Sequence, residues 1–271
     1  MHSDNGIVLV IGASGGIGTA ISKLLVKSGW SVIGMDTAAA PTDLFDNKLF
    51  TDVCIDVTEE TAFEAAIERH VPKLGLSAVV YAAGVYDHFP LAEADNNRLE
   101  RILSVNVLGF AHVVRLTFSR ILAAKGRYIV VSSETALVSM PFQVYGMSKR
   151  MLEVYVDALY QELSVLGIPL ITIRPGAHVT ELLRKSRARL ENYPSSSEFR
   201  PFLEAVKKRG QEVIDRGGAD PIDVAKVVIM ALESPKPKAY YHVNVAWYFR
   251  LLRVLPSAVV RFAFRVAIRN K

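Results

Sequence analysis

Residues 7 to 25, IVLVIGASGGIGTAISKLL, decide the fold. A short apolar run rich in β-branched residues reads as a buried strand, and ISKLL has the spacing of a helix. Between them lie Gly12, Gly16 and Gly18, with Ser14 and Ile17 in the same turn. Small residues there let the backbone approach a pyrophosphate, while the helix that begins in the turn offers unpaired N–H groups and the positive end of its dipole. Strand, glycine turn and helix together read as a dinucleotide-binding element. A turn that serves packing alone is the alternative.

Working outward, the next apolar run, SVIGM (31 to 35), ends in Asp36. A carboxylate at that point accepts hydrogen bonds from both ribose hydroxyls of an adenosine and repels a 2′-phosphate, which favours NAD over NADP. Neither Gly15 nor Thr37 supplies an arginine for such a phosphate. A solvated surface aspartate is the alternative. Asp56, with Val57 beside it, follows the third run and either faces the adenine or caps a helix.

That third run is FTDVCI (50 to 55), and SAVVYAA (77 to 83), RYIVVS (127 to 132), PLITIR (169 to 174) and AYYHVNV (239 to 245) follow it. Seven short apolar strands separated by helical patterns predict an α/β fold, a doubly wound parallel sheet with helices on both faces. With 271 residues, 51% hydrophobic and 22% charged, the chain reads as one globular domain over 1 to 271. Two long helices are expected, from about Asp95 to Ala123 and from about Val144 to Leu166, the second stopped by Gly167 and Pro169. Residues 181 to 219 break the rhythm and read as a partly helical lid. Its Leu182, Leu183, Tyr193, Phe199 and Phe202 suit an apolar substrate.

The formal charge of +5 is concentrated at one end: no acid follows Glu233. Residues 246 to 271 form a basic, apolar extension in which Arg261, Arg265 and Arg269 make one stripe against Val259, Val260, Phe262, Phe264, Val266 and Ile268. Such a helix can lie in a membrane interface, or pack on the body or a partner subunit. Cys54 is the single cysteine, which excludes an internal disulfide and is expected as buried filler in a reducing compartment. The opening MHSDNG lacks a signal peptide's basic start. The expectation is a cytoplasmic protein with no nucleic-acid partner and no metal, in peripheral membrane contact at most. Phe110, Val114, Phe118, Tyr155 and Leu159, placed on outward faces of the long helices, predict a homodimer or homotetramer.

The stretch VYGMSKRMLE (144 to 153) sets Tyr145 and Lys149 four places apart. On a helix that spacing brings both side chains to one face, with Cβ atoms roughly 5 to 6 Å apart. A phenol titrates near 10, and an adjacent ammonium favours its phenolate. The pair alone is equally an ordinary amphipathic helix. Here it follows a strand ending in VSSE, so serine hydroxyls emerge at the carboxyl edge of the sheet, where ligands of such folds lie.

With these motifs the chain resembles the short-chain dehydrogenase/reductase family over nearly its whole length. The family's TGxxxGIG reads IGASGGIG, its asparagine motif SVNVLG, its serine strand IVVSSETA, its Tyr-x-x-x-Lys YGMSK and its PG-x-x-x-T PGAHVT, all in the family's order. The resemblance implies Tyr145 as the acid/base, Lys149 as ligand of the nicotinamide ribose, Asn106 as holder of a relay water, and a serine that polarises the carbonyl. Ser133 is taken for that serine over Ser132, because the strand aligns through Pro141 without a gap. Ala83 and Gly84, Pro175 and Gly176, the Val179 N–H and the Thr180 hydroxyl are implied around the cofactor. His178 is expected on a loop surface. Ile11 and YAAG (81 to 84) depart from the family's Thr and NNAG, which bears on cofactor affinity more than on chemistry. The implied activity is NAD(H)-dependent interconversion of an alcohol and a carbonyl. The stretches around Tyr145 and after Asp220 look most like the branch acting on retinoids and hydroxysteroids. A dinucleotide-sensing module without catalysis is one alternative and a methyltransferase another; the latter leaves the Tyr-Lys spacing unexplained.

Overall fold

The computed structural model describes residues 5–178, 193–215 and 218–269. Seven strands form one sheet: β1 (Ile7–Ile11), β2 (Ser31–Asp36), β3 (Phe50–Cys54), β4 (Leu76–Tyr81), β5 (Arg127–Val131), β6 (Leu170–Pro175) and β7 (Tyr240–Val243). Every neighbouring pair is parallel and the order is β3-β2-β1-β4-β5-β6-β7. The winding therefore reverses between β1 and β4, and a crevice opens beyond their carboxyl ends. Register completes the arrangement, since Ile11 lies opposite both Met35 and Tyr81. The residues that follow these three strands are thereby brought to one place.

Side chains alternate across the strands, and each face has its own core. Val8 and Val10 of β1 pack with Ile21 and Leu25 of α1 (Gly16–Lys27). The same layer holds Val224 and Val228 of α8 (Pro221–Glu233). Leu9 and Ile11 face the other way, toward Phe63 of α3 (Glu60–His70), Phe110 of α5 (Gly109–Ala124) and Leu152 of α6 (Val144–Val165). A short α2 (Thr42–Phe45) precedes β3, and α7 (Arg200–Asp215) lies in the segment expected as a lid. The chain ends in α9 (Trp247–Val254) and α10 (Ser257–Arg269), seated through Phe249 and Val260 on Leu137 and Val138.

Two expectations are corrected here. Phe110, Val114 and Leu159 do not face outward; they are buried in the core beneath α5 and α6, with Phe118 and Tyr155 packed against it. Helices that cover a wide sheet need apolar residues over a broad arc, so a second apolar face in the sequence is no sign of exposure. Cys54 is exposed, with its thiol 3.4 Å from the Thr37 carbonyl oxygen. It sits on the edge strand, and alternation turns Val53 inward and Cys54 out.

The helical stretch Asn96–Ala124 is long and apolar enough to cross a bilayer by length and composition, but its apolar side is built into the core. It is not one regular helix. Between α4 (Asn96–Leu103) and α5, Ser104–Leu108 widen into a π turn that carries Asn106. The Gly109 N–H reaches back five residues to the Ser104 carbonyl, which takes from the Val105 carbonyl its usual partner. The buried Tyr81 hydroxyl donates to that Val105 oxygen instead. A Cβ at position 109 would stand 2.4 Å from the Tyr81 oxygen, so only glycine admits the bond. Tyr81→Phe is expected to lower unfolding stability by about 1–3 kcal/mol, through a buried carbonyl left without its donor. Urea denaturation of both proteins measures the difference.

Candidate active site

At the end of β1 the chain turns through Gly12, whose φ of +85° favours glycine. A Cβ there would lie 2.5 Å from the Ala83 nitrogen, and one on Gly18 would lie 1.8 Å from the Gly12 oxygen. Backbone packs on backbone at both points, so neither position has room for a side chain. Gly16 opens α1, whose N-cap makes no side-chain hydrogen bond and whose first turn carries no acid, leaving its N–H groups for an anion. Ile17 packs on the core below the turn. Ser14 donates its N–H to the Asp36 carboxylate at 2.9 Å and its hydroxyl to the Ala38 carbonyl at 2.7 Å. The end of β2 is thereby tied to the glycine turn. These residues fit the pyrophosphate and adenosine end of a dinucleotide.

Asp56 has both oxygens engaged. Oδ1 accepts the Thr58 N–H at 2.9 Å and its hydroxyl at 2.7 Å, and Oδ2 pairs with Arg101 at 2.9 Å. Val57 is buried in the core. At the other end of the crevice, Pro175 closes β6, and a Cβ on Gly176 would fall 2.1 Å from the Asn244 oxygen. His178 is buried, which corrects the expected surface position: its Nδ1 lies 2.9 Å from the Gly176 oxygen and its backbone bridges to Ala219. The pairing draws the loop back into the fold. Val179, Thr180, Leu182 and Leu183 lie outside the described residues.

The first turns of α6 carry Tyr145 and Lys149. The Lys149 ammonium lies 5.8 Å from the centre of the Tyr145 ring, and it donates to the Val131 carbonyl at 2.9 Å. Only 2% of Lys149 is exposed. Burial pulls its ammonium down to about 8, with the Glu153 carboxylate working the other way. Tyr145 is held above its ordinary value by burial, against a hydrogen bond from the Ser133 hydroxyl that lowers it. Here desolvation outweighs the depression that the Tyr-Lys spacing suggests. A Cβ on Gly84 would be 3.5 Å from both Asn106 Oδ1 and Lys149 Nζ, so the backbone after β4 runs beside these groups, next to Ala83.

The serines face opposite ways. Ser132 donates to Glu153 Oε1 at 2.6 Å, back into the protein. Ser133 stands beside Tyr145 and accepts the Thr135 hydroxyl at 2.9 Å. Asn106 is fully buried: its Oδ1 accepts the Val85 N–H at 2.7 Å, while Nδ2 donates to the Val85 carbonyl at 2.9 Å and to Ser148 Oγ at 2.8 Å. Its side chain thus clamps the strand β4 exit to the α6 turn between Tyr145 and Lys149.

Several residues of the site escape a reading of motifs. Glu153, 7% exposed, takes Arg174 Nε and Nη2 in two bonds of 2.8 Å, and the Arg174 guanidinium stacks over Tyr240 at 4.1 Å. Its position four residues after Lys149 was the available signal. Tyr86 packs on Tyr145 with ring centres 4.4 Å apart, and its hydroxyl lies 3.5 Å from His88 Nε2. Burial pulls His88 down to about 4, so its imidazole is neutral at pH 7. Phe89, Val144, Tyr193 and Leu203 form an apolar cluster with Phe142 and Met147 beside this wall. Tyr193 is one of the aromatic residues expected from the sequence to line an apolar site; the others carry no motif, because the segments after β4, at the start of α6 and around α7 meet only in the folded chain. Removing the carboxylate in Glu153→Ala leaves a buried guanidinium without its ion pair, and the expected loss is about 3–5 kcal/mol, read from denaturant unfolding.

The sequence profile of the short chain dehydrogenase family matches residues 6–191. The chain is similar to an NADPH-dependent 3-dehydrocapnine reductase of Ornithobacterium rhinotracheale, 28% identical over 245 residues that cover 86% of each protein. It is also similar to retinol dehydrogenase 16 of Mus musculus, 26% identical over 279 residues, with 96% of this chain and 87% of the relative covered. Among solved structures, a short chain dehydrogenase/reductase from Burkholderia phymatum in complex with NAD matches with a TM-score of 0.75 at 20% identity, over 97% of this chain and 96% of the other. A short chain dehydrogenase from Burkholderia cenocepacia J2315 in complex with NADP matches at 0.73 and 20% identity, over 99% of each. The structural likeness concerns the fold, whereas the profile match spans the glycine turn, the serine strand and the Tyr-Lys helix. The chain belongs to the short-chain dehydrogenase family, oxidoreductases that bind a nicotinamide dinucleotide and act on alcohols and carbonyls.

Proposed function

We propose that the protein interconverts a lipophilic alcohol and its carbonyl with Tyr145 as acid/base, and that it prefers NAD(H) to NADP(H). The grouping of Ser133 and Lys149 around Tyr145 carries the reading. A bound nicotinamide dinucleotide supplies hydride transfer; the protein supplies orientation, a proton path and exclusion of water. The neighbouring Ser133 and Tyr145 hydroxyls address a single substrate oxygen. Burial keeps the phenol protonated, which suits a proton donor to a carbonyl oxygen in the reductive direction. Lys149, charged below about pH 8, offers N–H donors toward the ribose and favours the phenolate when the alcohol proton is to be taken. Asn106 fixes the main chain on both sides of these groups.

Asp36 supports the preference for NAD. Its carboxylate is anchored by the Ser14 N–H at the glycine turn, and fixed negative charge there opposes a 2′-phosphate. Both cofactors occur among the relatives and neighbours, so the argument rests on this side chain. Support for an apolar substrate comes from the wall near Tyr145, where Phe142 lies 5.7 Å from Phe199 and 6.4 Å from Phe202 between ring centres. The exposed Met151 and Val154 on α6, with Leu108 at the end of the π turn and Leu122 on α5, support a homodimer or homotetramer. By the same reading Val179 and Thr180 complete the cofactor site.

Tyr145→Phe is expected to reduce kcat by about 10²- to 10⁴-fold with NADH affinity unchanged by fluorescence titration. A folded variant with wild-type turnover overturns the assignment. Asp36→Ala should weaken NADH binding by about 10-fold and improve the NADPH:NADH affinity ratio at least as much, as loss of a charge-assisted hydrogen bond requires. An unchanged ratio in a variant of wild-type melting temperature removes the NAD preference.

A further inference from the structure

An amphipathic helix on a protein surface needs one apolar face, and α9 and α10 each have two. Phe249 and Leu252 of α9, with Val260 and Phe264 of α10, face the body and pack among Leu137, Val138 and Met140. On the opposite sides, Trp247, Leu251 and Val254 recur at spacings of four and three, and Val259, Phe262 and Val266 at three and four. Each set is therefore a single stripe along its helix. Both stripes stand in water, with Trp247 74%, Val254 75% and Phe262 66% exposed.

Beside the stripes lie the exposed Arg250, Arg253, Arg261 and Arg265. Among the described residues Arg261 bonds Ser257 of its own helix, through the carbonyl at 3.3 Å and the hydroxyl at 3.0 Å. No aspartate or glutamate occurs after Glu233, so both helices carry one sign of charge. A second copy of the same face, related by a twofold axis, would set arginines against arginines with no carboxylate from either helix between them. A polyanion without an apolar layer would leave Trp247 and Phe262 in water. Exposed aromatic and aliphatic stripes flanked by arginines match the boundary between acyl chains and anionic headgroups.

We infer that the outer face of α9 and α10 docks on a membrane surface containing anionic lipid. Trp247, Leu251, Val259 and Phe262 enter the headgroup boundary, and the arginines meet lipid phosphates. The docked helices are seated on residues 134–137, directly after Ser133, and the Ala246 N–H donates to Glu134 at 3.0 Å. Membrane contact is thereby placed next to the segment that carries the candidate serine. The inference deepens the proposed lipophilic specificity by giving the substrate a bilayer to come from, yet docking itself requires no turnover.

Co-sedimentation of the full chain with vesicles of phosphatidylcholine alone, or with about 30% phosphatidylglycerol, tests it. Expected is at least about tenfold more protein on the anionic vesicles at low salt, falling steeply as salt screens the arginines. Trp247→Glu combined with Phe262→Glu should abolish binding, and Arg261→Gln with Arg265→Gln should weaken it by about fivefold per arginine. Wild-type melting temperature and NADH titration confirm that each variant is folded. Wild-type protein left in the supernatant with both vesicles, equal binding to both, or undiminished binding by the double glutamate variant overturns the inference. So does a dimer in sedimentation velocity that the same variant converts to monomer, which assigns the face to a second copy. Failure of vesicle binding leaves the Tyr145 chemistry standing, and loss of that chemistry leaves docking measurable.

Discussion

Burying an ammonium group at the head of α6 is the demand around which the centre of this protein is arranged. Lys149 donates to the Val131 carbonyl at the end of β5, and one turn further along α6 stands Glu153, whose charge opposes the loss of the lysine proton. Glu153 in turn is buried only because Arg174 of β6 and Ser132, just after β5, satisfy its oxygens. The chain of partners runs from strand to helix to strand. It turns Ser132 inward, and strand alternation then turns Ser133 outward beside Tyr145. The orientation of the serine and the charge of the lysine have a common origin in one buried carboxylate.

The sheet supplies the second constraint. Reversal of strand order at β1 and β4 makes a crevice, and the register there brings Gly12, Asp36 and Ala83 together. Gly12 and Gly18 then allow the backbone to close on itself where a methyl group would collide. Across the crevice, the π turn held by Tyr81 shifts Asn106 to where its amide clamps Val85 and Ser148. In this chain YAAG stands where the family has NNAG, and Tyr81 at its start braces the Asn106 turn from below. Packing and site geometry are therefore the same set of contacts at this point.

The C-terminal helices join this centre from outside. Through Phe249 and Val260 they cover the segment that follows Ser133, and through the Ala246 N–H they engage Glu134. A charge pattern without acids and a second apolar stripe on each helix are properties that folding of the body does not need.

From the amino-acid order alone, the strand–glycine–helix opening, the alternation of strands with helices and the spacing of Tyr145 and Lys149 were legible, because each depends on neighbours within a few residues. The glycine turn, the seven strands and the long helices follow from that local chemistry. What tertiary structure alone decided is which groups face one another across strands and helices. Phe110, Val114 and Leu159 are core rather than outer surface, Cys54 is exposed on an edge, and His178 is drawn in by a bridge to Ala219. The inward turn of Ser132 rests on Glu153, delivered by a helix 21 residues further along the chain. Periodicity tells which residues share a side of an element; burial and partnership depend on what the opposite element brings, and that is a property of the assembled fold.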